Sequence, residues 1–448
     1  MIETIFTENH SLEWIERNIT DPTEELIVLR KIIPWEKIVK QLSQFYDKLK
    51  GRTGKSLRIM TGLMILSKLY LLSDQNVVKQ VKENRYYQYF CNVPDNELST
   101  FINSSTICKI RQRFGKKGAA IIETCVFDVL RRTGVINPDD ALIDSSVLES
   151  NIVYPTDVKL VYKGFCKMAL FAKHNNICLW WDHSEIKATW RKYNLDREKN
   201  SSMYLFELST PFHNALAGFK LQVEMMETSE EKKEKALKKK KEQALQLLEI
   251  LTLLDEQTHM KIRGEKHIEN RIVSLDEPEA RPIKKGKTHP KCEFGTTFQA
   301  TFNRQGFMIT VENFIGKPSD KTLYLDTLEL FKKRMKTYPK TVVTDLGYRS
   351  NDNFKISKDK VKNIFLGRSD DVDEKERDFC QKARSATEGF IAVAKNWHGF
   401  KRSLYKRFSG DKIWSLLCQC AHNLKKFFQL YCKEKLEEET LVKLGLLG

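Results

Sequence analysis

Two aspartates in this chain stand at the ends of short apolar runs. Asp144 follows Ala141-Leu142-Ile143, and Asp345 follows Thr341-Val342-Val343-Thr344 and precedes Leu-Gly-Tyr-Arg. Carboxylates at strand ends project towards a shared crevice, where oxygen ligands hold Mg²⁺ or Mn²⁺. Taken singly, each is an ordinary turn-forming Asp. The weight comes from a third acid downstream, in CQKARSATEGFIAVAKNWHGF. There Arg384, Glu388 and Lys395 lie 3, 7 and 14 residues beyond Gln381, which places all four on one stripe of a single helix. A metal-bound carboxylate flanked by cations suits a phosphodiester, because the metals bind the reacting phosphate while Arg and Lys hold its neighbours. The competing reading is a surface stripe with an i, i+4 ion pair between Arg384 and Glu388. The two strand-end aspartates favour the first. His398 and Glu149 lie near the same elements as weaker candidates.

The elements that must position these residues are legible as runs. ALIDSSV, GTTFQATFN, GFMITVENF, KTVVTDLG and VKNIFLG read as strands. The second and third are separated by Arg304-Gln305 and read as a hairpin, although that pair is not a favoured two-residue turn. LYLDTLELFKKRMK reads as a helix. The order strand, hairpin, helix, strand, helix, strand, helix predicts an α/β fold, a mixed sheet with helices on its faces.

Residues 1–135 read as an all-helical N-terminal domain, with Ile59, Leu63, Leu66 and Tyr70 recurring at helical spacing. Within it, SSTICKIRQRFGKKG offers Ser104 or Ser105 as an N-cap, then Lys109 and Arg113 four apart on one face, with Lys116 and Lys117 just beyond. That helix could lie on a DNA backbone or be a solvated basic face. The α/β pattern occupies 136–154 and 291–410. Between them 155–290 reads as a long helical insertion whose centre, EEKKEKALKKKKEQALQLLEILTLLDEQ, is charge-rich and helix-forming. The chain closes over 411–448 with an amphipathic helix whose Lys425 and Lys426 face out.

Composition narrows the partners. Of 448 residues, 41% are hydrophobic, enough for two or three cored domains, and the formal net charge of +17 favours a polyanionic partner. No apolar run reaches 18 residues and the N-terminus MIETIFTENH is acidic and polar, so a cytoplasmic protein with no membrane partner is expected. The ten cysteines are scattered, with only Cys418 and Cys420 close together, and read as reduced packing residues.

With these residues in place, the sequence resembles the DDE transposases of bacterial insertion sequences, many of which carry the signature Y-(2)-R-(3)-E-(6)-K. Arg384, Glu388 and Lys395 match it in identity and spacing, and Gln381 stands at the tyrosine position. DSSVLESNIVYPTD looks like the family's first-acid segment, TDLGYRSNDNF like its second and KCEFGTTFQATF like the strand after its insertion. GRTGKSLRIMTGLMILSKLYLLSD with NRYYQYFCN looks like its N-terminal domain. The resemblance implies an RNase H-like catalytic domain and an N-terminal domain for DNA binding or dimerisation. It also implies two Mg²⁺ or Mn²⁺ ions about 4 Å apart, with Asp144 bridging them, Asp345 completing one site and Glu388 the other. Water would attack the phosphodiester at the element's end, and the freed 3′ hydroxyl would then attack target DNA. Arg384 and Lys395 are the implied phosphate contacts and Arg349 a further one. Trp397 could stack on an unpaired base or occupy a core position. The implied partners are terminal inverted repeats, target DNA and a second copy of the chain at least. Two other readings use the same residues differently: an RNase H-like structure-specific nuclease without strand transfer, and a domesticated DNA-binding protein.

Overall fold

A computed structural model describes residues 17–18, 21, 23–47, 54–99, 101–175, 177–178, 181–196, 198, 200–226, 231–284, 292–367 and 374–447. Residues 1–16, the Gly51–Thr53 opening of the N-terminal segment, the 285–290 end of the expected insertion and Lys291 lie outside these. The chain forms two compact units, residues 1–149 with 296–448, and residues 150–295.

Among the described residues, the first unit has six α-helices ahead of its sheet: α1 (Glu25–Ile32), α2 (Trp35–Leu42), α3 (Leu57–Leu69), α4 (Asp74–Glu83), α5 (Arg85–Cys91) and α6 (Ser104–Arg132). Asn103, not a serine, stands before α6 and makes no side-chain cap bond, and non-helical Gly115 separates Lys109 and Arg113 from Lys116 and Lys117. Strand β1 (Asp140–Ser150) follows, and the chain leaves for the second unit. It consists of α7 (Asp157–Asn175), α8 (His183–Leu195), α9 (Ser201–Glu224), α10 (Glu231–Ile262) and β2 (Arg281–Lys284). The helices bury a common core that includes Phe165, Leu208, Phe212, Phe219 and Leu251, and β2 pairs antiparallel with residues 292–295.

Those residues open β3 (Cys292–Phe302), which carries the chain back to the first unit. There follow β4 (Met308–Ile315), α11 (Asp320–Met335), β5 (Thr341–Thr344), α12 (Asn351–Lys358), β6 (Asn363–Leu366), α13 (Glu374–Trp397), β7 (Arg402–Ser403), α14 (Arg407–Cys432) and α15 (Glu438–Lys443). The sheet runs β4–β3–β1–β5–β6, with β7 beside β1. Strands β3 and β4 are antiparallel, whereas β1, β5 and β6 are parallel. The β3–β4 turn is longer than the Arg304-Gln305 pair. Asn303 and Phe307 close it, with Gly306 at φ 88° where a side chain would be strained.

Parallel strands covered on both faces read as unbroken apolar runs, and alternation sorts their side chains. Ala141, Ile143, Val342, Ile364 and Leu366 enter one core with α11 and helices of the N-terminal region. Leu142, Val343 and Phe365 enter a second core with Cys380, Ala383, Ile391 and Ala394 of α13. Residues 1–135 thus share a unit and a core with the sheet, and α14 packs against α6, α3 and β4. No helix among the described residues is long and apolar enough to cross a membrane.

Candidate active site

Strands β1 and β5 run in register with Leu142 opposite Val343, and both of these side chains face α13. Two residues further on, a strand presents the same face again, so Asp144 and Asp345 also point towards α13. That helix buries Cys380, Ala383, Thr387, Ile391 and Ala394 at intervals of three and four residues. Arg384 and Glu388 each follow a buried position by one residue and flank the packed stripe. Asp144, Asp345, Arg384 and Glu388 consequently line one small pocket of about 60 Å³, with Ile143, Val343, Thr344 and Thr387.

The loop after β5 is held tightly. Asp345 Oδ1 accepts a hydrogen bond from the Gly347 amide at 2.8 Å, which closes the one-turn helix Leu346–Tyr348. Gly367, just past β6, lies at φ 74°, where a Cβ would stand 2.5 Å from the Leu346 backbone nitrogen. Only glycine lets the two strand ends approach there. Tyr348 is buried beneath the loop, and its hydroxyl accepts from Gln299 Nε2 at 3.0 Å.

A fourth carboxylate joins the cluster. Asp320, the first residue of α11, accepts a hydrogen bond from Ser145 Oγ at 3.0 Å. A Cβ on Gly347 would stand 3.0 Å from Asp345 Oδ1 and 3.2 Å from Asp320 Oδ2, so the two aspartates crowd one glycine. Burial, and then the Asp345, Asp320 and Glu388 carboxylates, push the Asp144 carboxyl up from 3.8 to about 6, against the 2.7 Å hydrogen bond from the Ser145 amide. Burial and Asp345 also raise Asp320, against its bond from Ser145. A group of partly buried carboxylates is costly to keep ionised. A divalent cation would offset that cost, so the oxygen-only donor set of Asp144, Asp345 and Glu388 fits a hard divalent ion.

The remaining sequence candidates divide. Among the described residues, neither Arg384 nor Glu388 takes part in an ion pair, so the i, i+4 pair of the surface-stripe reading is not formed. Lys395 lies 3.4 Å from Ser146 Oγ of β1, on the strand that carries Asp144. Gln381 is exposed and Arg349 half-buried. Trp397 is 71% exposed and borders a separate hollow with Leu69, Val393, His398 and Lys425, so it is not a core residue. His398 is buried against His422 and is pushed down to about 3 by burial. Glu149 is held by Arg402 at 2.6 Å. Lys109 and Arg113 are exposed on α6, with the Arg113 guanidinium over the Tyr46 ring. Arg111, between them, is buried and pairs with Asp74 at 2.9 Å. Sequence reasoning missed Asp320. Its setting, Ser319-Asp320 ahead of a helical run, signals a helix N-terminus and nothing more.

A mixed sheet in this strand order, with acids at the ends of its parallel strands and a third acid on the covering helix, defines an RNase H-like nucleic-acid-processing domain. Residues 251–424 match the family model of the Transposase DDE domain, and residues 13–113 match that of the Transposase domain (DUF772). The chain belongs to the DDE transposases of insertion sequences. These are phosphodiester-cleaving, nucleotidyl-transfer enzymes that act on DNA and use divalent metal ions. Asp345 and Glu388 fall within the matched DDE residues; Asp144 lies outside both matches. The chain is also similar to a Rhizobium meliloti protein described as uncharacterized protein ORF8 in the nfe locus. The two are 30% identical over 162 residues, which is 36% of this chain and 78% of that protein. No solved structure matches the chain.

Proposed function

We propose that Asp144, Asp345 and Glu388 form the catalytic triad of an insertion-sequence transposase that cleaves DNA at the element's ends and joins the freed 3′ ends to target DNA. The observation that carries this reading is the convergence of three carboxylates, distant in the chain, on one pocket that a guanidinium also lines. These three side chains would hold two Mg²⁺ or Mn²⁺ ions. When bound, such ions supply Lewis-acid polarisation of the phosphate, an activated nucleophile at neutral pH and charge stabilisation of the leaving oxygen.

The chain's own residues do the rest. Arg384, beside the acids, binds a phosphate oxygen bidentately, and Lys395 and Arg349 bind neighbouring phosphates as point and planar charges. Trp397, exposed at the end of α13, stacks on a base at the element's end. Lys109 and Arg113 on α6 contact the DNA backbone. Residues 1–135 contribute DNA binding or dimerisation, and the second unit a helical insertion between β1 and β3. Synapsis of two ends requires a second copy, so the DNA-bound form is at least a dimer. The chain acts in the compartment that holds the DNA, the bacterial cytoplasm.

The test is a strand-cleavage assay on end-bearing oligonucleotides with Mg²⁺. Asp345→Ala and Glu388→Gln should each abolish cleavage while leaving end binding largely intact; cleavage retained in either removes that residue from the mechanism. With the unaltered chain, target molecules joined to the element's end support transposition, and nicked ends without joined products favour a structure-specific nuclease.

A further inference from the structure

The helical unit contains a second cluster of metal-ligating groups, unrelated to the acids beside the sheet. His213 lies on α9, and Asp255 and His259 lie one turn apart on α10, hence on one face of that helix. One ligand atom from each of the three falls within 4.8 Å of the others. His213 Nδ1 stands 2.7 Å from Asp255 Oδ2, and His259 Nδ1 stands 3.6 Å from Asp255 Oδ1. We propose that His213, Asp255 and His259 form a binding site for a transition-metal ion of the Zn²⁺ class that fastens α9 to α10.

Three observations support this assignment. The first is burial without satisfaction. The Asp255 side chain is only 10% exposed, and its Oδ1, lying beside His259, accepts no hydrogen bond. A buried carboxylate oxygen without a partner is costly, and a cation between the carboxylate and the imidazoles removes that cost. The second is the orientation of His259. Its Nδ1 is 2.9 Å from the Asp255 backbone carbonyl. An Nδ1–H donated there leaves Nε2 with the lone pair, the arrangement by which a backbone carbonyl orients metal-bound histidines. The third is access. The side chains of His213 and His259 are 61% and 45% exposed, so an ion can enter from solvent and keep water as a further ligand.

The donor set selects the ion. Two imidazoles and one carboxylate suit Zn²⁺ and its neighbours in the first transition row, whereas Mg²⁺ prefers oxygen donors and retains its waters. The site is therefore chemically distinct from the all-carboxylate cluster, and it does not depend on the proposed catalytic roles. Its mechanical consequence is local. Pro211 sits inside α9, two residues before His213, and removes a backbone hydrogen bond from that stretch. An ion tying His213 to α10 compensates at the point where α9 is weakest.

The test uses the 448-residue chain stripped with a chelator and titrated with ZnCl₂ against a chromophoric competitor, with excess Mg²⁺ present throughout. One tightly bound Zn²⁺ per chain is expected, both in the unaltered protein and in Glu388→Gln. His213→Ala and His259→Ala should weaken it by more than about 100-fold, beyond the loss caused by removing a mere outer-shell partner. His213 is largely solvent-exposed, so its alanine variant retains the fold, as circular dichroism would show. Zn²⁺ should raise the melting temperature of the unaltered protein and not that of His213→Ala. The proposal is overturned if the chain retains no Zn²⁺, if His213→Ala binds it unchanged, or if Glu388→Gln loses it, which would place the ion among the sheet carboxylates.

Discussion

Replacing Asp144 by Asn should stabilise the metal-free protein while destroying its metal response. The Asp144 carboxyl rises from 3.8 to about 6 through burial and then through Asp345, Asp320 and Glu388. At about 1.4 kcal/mol per unit, ionising it in the folded chain costs on the order of 3 kcal/mol. An acid that is harder to ionise folded than unfolded carries no penalty below about pH 4. The penalty grows between about pH 4 and 6 and is full above that. Asn keeps an oxygen for the Ser145 amide and carries no charge, so in EDTA at pH 8 the variant should gain up to about 3 kcal/mol, roughly 5 °C for a unit of this size. Saturating Mg²⁺ should reverse the order. The unaltered chain gains about 4.1 kcal/mol when the ion stands at about 1,000 times its dissociation constant, more than the variant's lead, and the variant gains little. Thermal melts at pH 4 and pH 8, with EDTA and with Mg²⁺, decide the matter. A variant that melts lower than its parent in EDTA at pH 8, or a gap of the same size at both pH values, would refute the electrostatic account.

Other positions give independent checks. Gly367→Ala places a Cβ 2.5 Å from Leu346 nitrogen at φ 74° and should cost roughly 2–4 kcal/mol in urea unfolding; an unchanged midpoint would mean that the loop beside Asp345 is not constrained as described. Arg334→Ala strands Glu123, whose side chain is 1% exposed and accepts from Arg334 Nη1 at 2.9 Å. It should cost about 3–5 kcal/mol, and a loss below about 1 kcal/mol would show that Glu123 finds another partner. Lys395→Ala should weaken end binding and lower its log–log salt slope by about one; an unaltered slope would mean that Lys395 contacts no phosphate.

Two parts of the site follow from local physics and were legible in the sequence. Ala141-Leu142-Ile143 and Thr341-Val342-Val343-Thr344 are unbroken apolar or β-branched runs because their strands are covered on both faces. Strand alternation then aims Asp144 and Asp345 at the same side. The helix that covers that side reveals itself by periodicity, and the stripe of Arg384, Glu388 and Lys395 survives folding because it flanks the residues that pack. The tertiary parts were hidden. Asp320 joins the acids through its hydrogen bond from Ser145, 175 residues away, and nothing near Ser319 distinguishes it from any helix-starting aspartate. Trp397 is exposed because α13 ends there and His398, its neighbour, takes the buried place. Residues 1–135 look self-contained by composition, yet most of the buried apolar residues described there belong to one core with Ala141, Ile143 and Val342 of the sheet and pack chiefly on one another and on α14.

The same division separates the two proposed metal sites. Asp255 and His259 sit at i, i+4 and could have been paired by inspection, but such a pair alone is an ordinary helix-surface feature. What changes its meaning is His213, 42 residues upstream, placed by the packing of α9 against α10 through Phe212, its buried neighbour. In the helical cluster the donors that share one helix are predictable from periodicity, and the donor that completes the set arrives by a packing contact that no spacing rule encodes, as Asp320 arrives beside the sheet acids. Substitutions in the packing that delivers it, such as Phe212→Ala for the helical cluster, should therefore weaken metal binding without touching a ligand. A Zn²⁺ affinity in Phe212→Ala equal to that of the parent chain would mean that α9 is positioned by something other than this core.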